Sequence, residues 1–235
     1  MSRIVAIDTS TEACSAALLV DGAVSFCEEV APQAHTRKIL PMCEKLLHDA
    51  SLSLAELDAL AFGRGPGSFT GVRIGIGVAQ GLALGASLPL IGISNLATLA
   101  QGAFRRDNAE RVLCAIDARM NEVYFAAFTL QEGIMTPLCE EAVLSPEEAC
   151  AKAMALVAAE PGVWFAAGTG FGAYQQAFAS LQSLVMMASE ALPWAQDMLV
   201  LAAHALQSGE TCDADQATPV YLRDKVTWKK LPGRE

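Results

Sequence analysis

Histidine is scarce in this chain, and none of its cysteines has the paired spacing of a metal-binding motif. The 235 residues include three histidines, His35, His48 and His204, and no two of them lie four positions apart. The seven cysteines are scattered, odd in number and never spaced as CxxC. A local two-histidine site, a zinc knuckle or a disulfide framework would need closer pairs. We therefore expect no metal site, and reduced cysteines as in a cytoplasmic protein.

Basic residues are also few. The chain has 16 Lys and Arg against 26 Asp and Glu, a formal net charge of −10. A protein that binds nucleic acid alone usually carries a basic surface, because its affinity comes largely from neutralised phosphates. Stand-alone RNA binding is therefore disfavoured. The exception is the stretch 223–235, with five basic and two acidic residues. A solvated tail and a contact with nucleic acid or an acidic partner both remain open.

The sequence lacks a long uninterrupted apolar run. Residues 72–93 come nearest, but Arg73, Gln80 and Pro89 interrupt them. A membrane-spanning helix needs about 20 predominantly apolar residues. The apolar run at residues 4–7 is too short for the core of a signal peptide. We predict a buried helix followed by a strand, in a cytoplasmic protein without a membrane span.

What the chain does have is a hydrophobic content of 53% with only 18% charged residues, which is typical of a folded α/β protein. Hydrophobic patterning predicts the order strand, strand, strand, helix twice, which is a loose internal duplication. The first series has strands at 3–8, 13–20 and 23–30, a helix at 33–50, a strand at 58–63, a helix reaching 86, a strand at 88–93 and a helix at 95–104. The second has strands at 111–117, 122–129 and 134–143, a helix at 146–158, a strand at 162–167 and a helix at 195–207. We predict two related lobes, residues 1–105 and 106–235. Pro41 predicts a kink in the first helix, or a later start.

A glycine-rich loop, Gly63 to Gly71, precedes the second helix. Free backbone N–H groups at a helix start can hold an anion, but the loop has neither the lysine of a P-loop nor a GxGxxG pattern. Asp8 and Asp117 each end an apolar strand, where an α/β fold can place a carboxylate that orients a metal-bound phosphate. For the loop, a structural turn and an anion site both remain open. For each aspartate, a structural role in the following turn and a role in orienting a metal-bound phosphate both remain open.

The helix after the loop carries two rows of glycine at intervals of four, Gly71 with Gly75, and Gly77 with Gly81 and Gly85. A glycine inside a helix costs roughly 1 kcal/mol relative to alanine, so close approach of another element must compensate. That neighbour can belong to this chain or to another subunit.

No catalytic group stands out in the sequence. Ser68, for example, is outside any GxSxG motif.

Five segments together resemble one family, the bacterial tRNA threonylcarbamoyladenosine biosynthesis proteins TsaB, also called YeaZ. They are Ile7–Thr11, His35–Pro41, Gly63–Gly75, Ala115–Arg119 and Pro219–Arg223. The resemblance runs the whole length, and the glycine-loop block is highly specific. It implies a two-lobed fold of the actin, hexokinase and Hsp70 type (ASKHA), with a reduced second lobe. It also implies a non-catalytic paralogue of TsaD, the enzyme that transfers the threonylcarbamoyl group to tRNA.

In TsaD a metal-binding HxxxH motif follows the strand that corresponds to residues 88–93. This chain has Asn95 and Leu99 there, which cannot replace two imidazoles. The resemblance therefore implies an accessory subunit that binds and activates TsaD, with further association with the ATPase TsaE. It implies a homodimer in isolation, contact with tRNA only through the complex, and no cofactor of its own beyond ATP or ADP at a complex interface. The alternatives are an independent enzyme, either an ASKHA-type phosphotransferase or a metallopeptidase, and a simple homodimeric structural protein.

The resemblance also implies where the partner surface lies. The candidate interface residues are Gly71, Arg73, Ile74, Gly77, Val78, Gln80, Gly81, Leu84 and His35. The candidate residues next to a nucleotide or phosphate are Asp8, Thr9, Ser10, Thr11, Gly65, Gly67 and Ser68.

Overall fold

The computed structural model describes residues 2–223, which form two β-sheets with helices on both faces of each. The strands are β1 (Arg3–Asp8), β2 (Ala13–Val20), β3 (Ala23–Val30), β4 (Ala59–Gly65), β5 (Leu90–Ser94), β6 (Arg111–Arg119), β7 (Glu122–Gln131), β8 (Ile134–Pro137), β9 (Ala142–Leu144), β10 (Phe165–Ala167) and β11 (Met186–Met187). The helices are α1 (His35–Asp49), α2 (Phe69–Ala86), α3 (Asn95–Asp107), α4 (Pro146–Ala159), α5 (Thr169–Ala173) and α6 (Ala195–Gln207), with a 3₁₀ turn at Leu54–Glu56.

The first sheet has the order β3-β2-β1-β4-β5. β1 pairs antiparallel with β2 and parallel with β4, and the Asp21–Gly22 turn joins β2 to β3 as predicted. Alternate residues of β1 point to opposite faces of the sheet, as in any strand. Val5 and Ile7 pack in the core beneath α1 and α2, whereas Ile4 and Ala6 pack against α6. β1 is therefore buried on both faces.

The second sheet repeats this plan in the order β11-β10-β6-β7-β8, with β9 beside β7. β6 corresponds to β1, since it pairs antiparallel with β7 and parallel with β10. The second lobe is the smaller version, because α5 has five residues where α2 has 18. The predicted two-lobed fold with a reduced second lobe is confirmed.

Helices α3 and α6 lie between the two sheets. α3 contacts strands of both, and α6 packs on the first sheet although it comes from the end of the chain. The domain boundary predicted at residue 105 stays a prediction. It falls within the last turn of α3, and the segment after it returns to the first lobe through α6 and a bridge between Leu90 and Cys212.

The boundaries of three elements differ from the sequence-based expectation. α1 begins at His35 and continues through Pro41, so the alternative of a late start is wrong. The strand expected at 134–143 is divided into β8 and β9, both of which pair with β7. The strand expected at 162–167 begins only at Phe165. Of the predicted basic tail, only Arg223 lies within the described residues.

One helix among the described residues, α2, is long and apolar enough by length and composition to cross a bilayer. A third of it is buried, and it packs against β4 and the core of the first lobe.

Candidate functional site: the glycine loop and the surface of helix α2

The glycine loop connects β4 to α2 and is packed against the segment that follows β1. The peptide bond between Gly65 and Pro66 is cis, and Ser68 is the N-cap of α2 and accepts a hydrogen bond from the amide of Gly71 at 3.4 Å. The amide of Ser68 donates to the carbonyl of Ser10 at 2.7 Å. This hydrogen bond fixes the start of α2 against the segment that follows β1.

The first row of glycines makes this packing possible. A Cβ on Gly67 would overlap the carbonyl oxygen of Ser10, and one on Gly71 would overlap that of Thr9. A Cβ on Gly75 would come within 2.8 Å of the Thr9 hydroxyl, which donates to the carbonyl of Gly71 at 2.7 Å. Backbone of the chain itself therefore occupies the space in front of the helix start. This arrangement favours the structural turn over an anion site, and a nucleotide beside these residues remains a prediction.

Asp8 is completely buried beneath the same loop. Its carboxylate accepts hydrogen bonds from the amide and hydroxyl of Ser10, each at 2.9 Å, and from the side-chain amide of Asn95. Burial raises the pKa of Asp8 to about 6, and the hydrogen bonds from Ser10 and Asn95 oppose that rise. Asn95 in turn accepts from the amide of Gly65 at 2.9 Å. The pair Asp8–Asn95 thus connects the ends of β1, β4 and β5.

The other polar residues after β1 are also engaged within the chain. Thr9, Ser10 and Thr11 are all buried, and Thr11 accepts a hydrogen bond from the amide of Ala13 at 3.2 Å. The hydroxyls of Thr9, Ser10 and Thr11 each have a hydrogen-bond partner within the chain. Asn95 serves as a structural hydrogen-bonding residue between Asp8 and the amide of Gly65.

Asp117, the corresponding residue of the second lobe, holds a turn in the same way. It accepts hydrogen bonds from the amide of Arg119 at 2.9 Å and the hydroxyl of Tyr174 at 3.1 Å, and it pairs with the Arg119 guanidinium at 2.8 Å. Both strand-end aspartates are occupied by neighbouring groups. The structural alternative is therefore favoured for both, and they do not fit a magnesium–phosphate site within this chain. Among residues 2–223 there is no cluster of three or more His, Cys, Asp or Glu side chains that could hold a metal ion.

The second glycine row of α2 lies on an open surface. Within the described part of the chain, nothing approaches within 4 Å of a Cβ placed on Gly77, Gly81 or Gly85. Leu84 on the same helix is 78% exposed, and Phe69 at its start is 66% exposed. A helix face without side chains, flanked by exposed apolar residues, permits close approach of another backbone. We call this face, formed by Gly77, Gly81, Leu84 and Gly85, the α2 surface.

The structure changes the membership of the predicted interface. Gly71 is buried beneath Thr9, and His35 is buried with its ring Nε2 3.2 Å from the carbonyl oxygen of Ala13, so neither lies on the surface of this chain, and their contact with a partner stays a prediction. Gln80 is half-buried and donates to the carbonyls of Ala214 and Ala217 at 2.9 and 3.1 Å. Its amide therefore holds the C-terminal segment against α2.

The remaining predicted members are at or beside the surface. Gly77, Gly81 and Leu84 are exposed, and Ile74 and Val78 are half-buried. Arg73 is exposed and stacks over the ring of Phe69, with its guanidinium carbon 3.3 Å from the ring centroid. Their contact with a partner remains a prediction.

Comparison with known proteins agrees with this architecture. The family model described as TsaD, tRNA N6-adenosine threonylcarbamoyltransferase, matches residues 26–231. The Escherichia coli protein named tRNA threonylcarbamoyladenosine biosynthesis protein TsaB is 52% identical, over 99% of this chain and 100% of that protein. The protein of the same name from Haemophilus influenzae is 47% identical, over 99% of this chain and 98% of that protein. The chain belongs to the TsaB family.

A solved structure supports the same assignment. The crystal structure of YeaZ from Pseudomonas aeruginosa superposes with a TM-score of 0.85 at 48% identity, over 94% of this chain and all of that one. The resemblance found in the sequence is thus confirmed, and with it the fold.

Sequence reasoning missed the part of the site formed by the C-terminal segment. Tyr221 lies against Phe69, with ring centroids 6.1 Å apart, and Arg73 is 5.0 Å from the Tyr221 ring. No periodicity connects residues so far apart in sequence. The only signal was the segment Pro219–Arg223 among the matches to the family.

Proposed function

We propose that this chain is a non-catalytic subunit required for threonylcarbamoyladenosine modification of tRNA, and that it binds and activates TsaD through the α2 surface. Support for the pathway comes from the names of the full-length relatives. Support for the surface comes from the second glycine row, which has no intrachain neighbour within the described residues. Five glycines in one helix destabilise that helix. Among the described residues, close packing compensates for the cost of the first row but not for that of the second.

The alternative of an independent enzyme has less support. Phosphotransfer requires carboxylates that are free to hold magnesium and phosphate, together with a base for the acceptor hydroxyl. Asp8 and Asp117 each accept hydrogen bonds from the turn that follows, and Asp117 accepts a further one from the hydroxyl of Tyr174. A metallopeptidase would require imidazole ligands, and Asn95 and Leu99 stand where TsaD has its histidine pair.

Further associations belong to the same proposal. The chain forms a homodimer through the α2 surface when TsaD is absent, and TsaE and tRNA join through the complex with TsaD. ATP or ADP binds at an interface of that complex rather than at the packed glycine loop. The site of action is the cytoplasm.

The experiment is threonylcarbamoyl transfer to tRNA in a reconstituted mixture, with and without this chain, combined with variants of the α2 surface. Gly81→Leu places a bulky side chain on that surface, and Leu84→Asp places a charge there. Gly172→Leu is the matched control, because a Cβ on Gly172 also meets nothing within 4 Å among the described residues, but in the second lobe.

We expect both α2 variants to remain folded while losing TsaD binding and modification activity, and the control to retain both. Equal modification with and without the chain would refute the accessory role. Turnover of a substrate by the isolated chain, unchanged in Gly81→Leu, would favour the enzyme alternative.

A further inference from the structure

The segment 219–223 extends from the glycine loop to the second lobe. In the first lobe, the amide of Val220 donates to the carbonyl of Arg64 at 2.9 Å. The carbonyl oxygen of Val220 lies so close to Gly65 that a Cβ there would be 3.1 Å from it. The segment is therefore fixed to the loop that begins α2.

Tyr221, the next residue, adds an aromatic ring at the start of α2. Its ring packs against Phe69 at an interplanar angle of 32°, and the Arg73 guanidinium lies near both rings. Tyr221 is 48% exposed even in this cluster. Stacking of arginine on aromatic rings is favourable and orders all three side chains. The exposed surface at the start of α2 is thus a composite of helix and C-terminal segment.

Arg223 binds the second lobe at the turn between β6 and β7. Its guanidinium donates to the carbonyl of Ala118 at 3.0 Å and pairs with the carboxylate of Glu122. Its side chain is only 20% exposed. A charge-assisted hydrogen bond of this kind is roughly twice as strong as a hydrogen bond between neutral groups.

The turn that Arg223 holds has an unusual backbone. Arg119, Met120 and Asn121 have φ angles of 61°, 57° and 59°, so three consecutive residues other than glycine are left-handed. Each such residue is conformationally disfavoured and needs support from its surroundings. Arg119 pairs with Asp117, and Arg223 donates to the carbonyl before the turn, so both arginines supply that support.

We propose that residues 219–223 form a strap that couples the composite surface at the start of α2 to the second lobe. Arg223 is a positioning residue: it holds the turn of the second lobe, and through Val220 and Tyr221 it fixes the orientation of Phe69 and Arg73. The arrangement of the lobes and the affinity for a partner on α2 are then linked. Such linkage is reciprocal, so partner binding also stabilises the turn at 118–122. The statement about the partner rests on the proposed function, whereas the coupling within the chain does not.

The test compares Arg223→Ala with Arg111→Ala in the full-length chain. Arg111 is the matched control, because it also forms an ion pair in the second lobe, with Glu160 at 3.7 Å, but lies outside the strap. Two quantities are measured: amide hydrogen exchange of residues 64–73 in the isolated chain, and affinity for purified TsaD. We expect Arg223→Ala to accelerate exchange at 64–73 and to weaken TsaD binding on the order of tenfold, within the usual range of coupling between sites. Arg111→Ala should change neither.

The outcomes separate this proposal from the proposed function. If the wild-type chain does not bind TsaD, the proposed function fails, and exchange at 64–73 alone decides whether the strap couples the lobes. Unchanged exchange in Arg223→Ala overturns the strap. Weaker binding with unchanged exchange also overturns it, because Arg223 would then contact the partner directly.

Discussion

At the scale of single residues, the glycines of α2 serve two different purposes. Gly71 allows the backbone of Thr9 to lie against the helix, whereas a Cβ on Gly77 meets nothing among the described residues. We expect Gly71→Ala to lower the free energy of unfolding by about 1–3 kcal/mol through overpacking. Gly77→Ala should raise it by about 0.5–1 kcal/mol, because alanine is the better helix former. Urea denaturation of the two variants measures both effects.

Expected effects of opposite sign for the same substitution, six residues apart, make this a strict test. If both alanine variants gain stability, the close approach of residues 9 and 10 to the helix is incorrect. The Gly77 variant also serves as the control for any general effect of a methyl group on α2.

Asp8 makes a pH-dependent contribution to stability. Its pKa in the folded chain is about 6, against the usual 3.8, because burial disfavours the charged carboxylate. Between pH 4 and pH 6 the folded state therefore binds more protons than the unfolded state, and the stability contributed by Asp8 falls as the pH rises. The shift corresponds to at most about 3 kcal/mol.

We expect this dependence to disappear in Asp8→Asn. The measurement is urea denaturation of wild type and variant at intervals from pH 4 to pH 7. The difference in unfolding free energy, wild type minus variant, should decrease across pH 4–6 and level off above it. A difference that stays constant with pH would mean that Asp8 titrates in the folded chain as it does in water.

At the scale of elements, α3 packs on the second sheet and α6 on the first, and ion pairs join the two helices. Asp197 of α6 is buried and pairs with two arginines of α3, Arg105 at 2.5 Å and Arg106 at 2.9 Å. Gly102 of α3 lets this carboxylate approach, because a Cβ there would lie 2.8 Å from it. The buried carboxylate of Asp197 thus forms ion pairs with two arginines of the neighbouring helix.

We expect Asp197→Ala to lower the free energy of unfolding by roughly 2–3 kcal/mol, since it leaves two arginines at the joint without their anion. Arg105→Ala should cost less than about 1 kcal/mol, because Arg106 remains paired and Arg105 is the more exposed partner. Chemical denaturation of both variants checks the order. Equal losses would contradict the placement of Asp197 as the shared buried partner.

At the scale of the whole molecule, the first lobe is not complete without the end of the chain. The face of the first sheet that carries Ile4, Ala6 and Ala61 is covered by Met198, Leu199 and Ala202 of α6. Without α6 that face would be exposed to water, at a cost that scales with apolar area.

We expect a fragment of residues 1–107 to lack a cooperative thermal transition and to bind a hydrophobic dye, whereas the full chain should show a single transition. Circular dichroism and dye fluorescence measure the two properties. A fragment that unfolds cooperatively would support residue 105 as the boundary of an independent domain.

The sequence by itself determined the order of most elements, the loose duplication and the family. Strands buried on both faces produce continuous apolar runs, and Asp21–Gly22 identifies a hairpin, so β1 to β3 and most helices could be placed from local signals. The glycine-loop block is a local feature as well. The short strands β10 and β11 carry little such signal, so the first was predicted too long and the second was not predicted.

Only the tertiary structure decided which glycine row faces the chain and which faces outward. Spacing places Gly71 and Gly77 on the same helix, but the neighbour that occupies the first row is the backbone of residues 9 and 10. Thr9 is 62 positions from Gly71 in the sequence and has no periodicity in common with it. The burial of His35 and the position of Tyr221 against Phe69 depend on long-range packing in the same way. Contacts between distant segments leave no pattern within either segment, so only the folded chain reveals them.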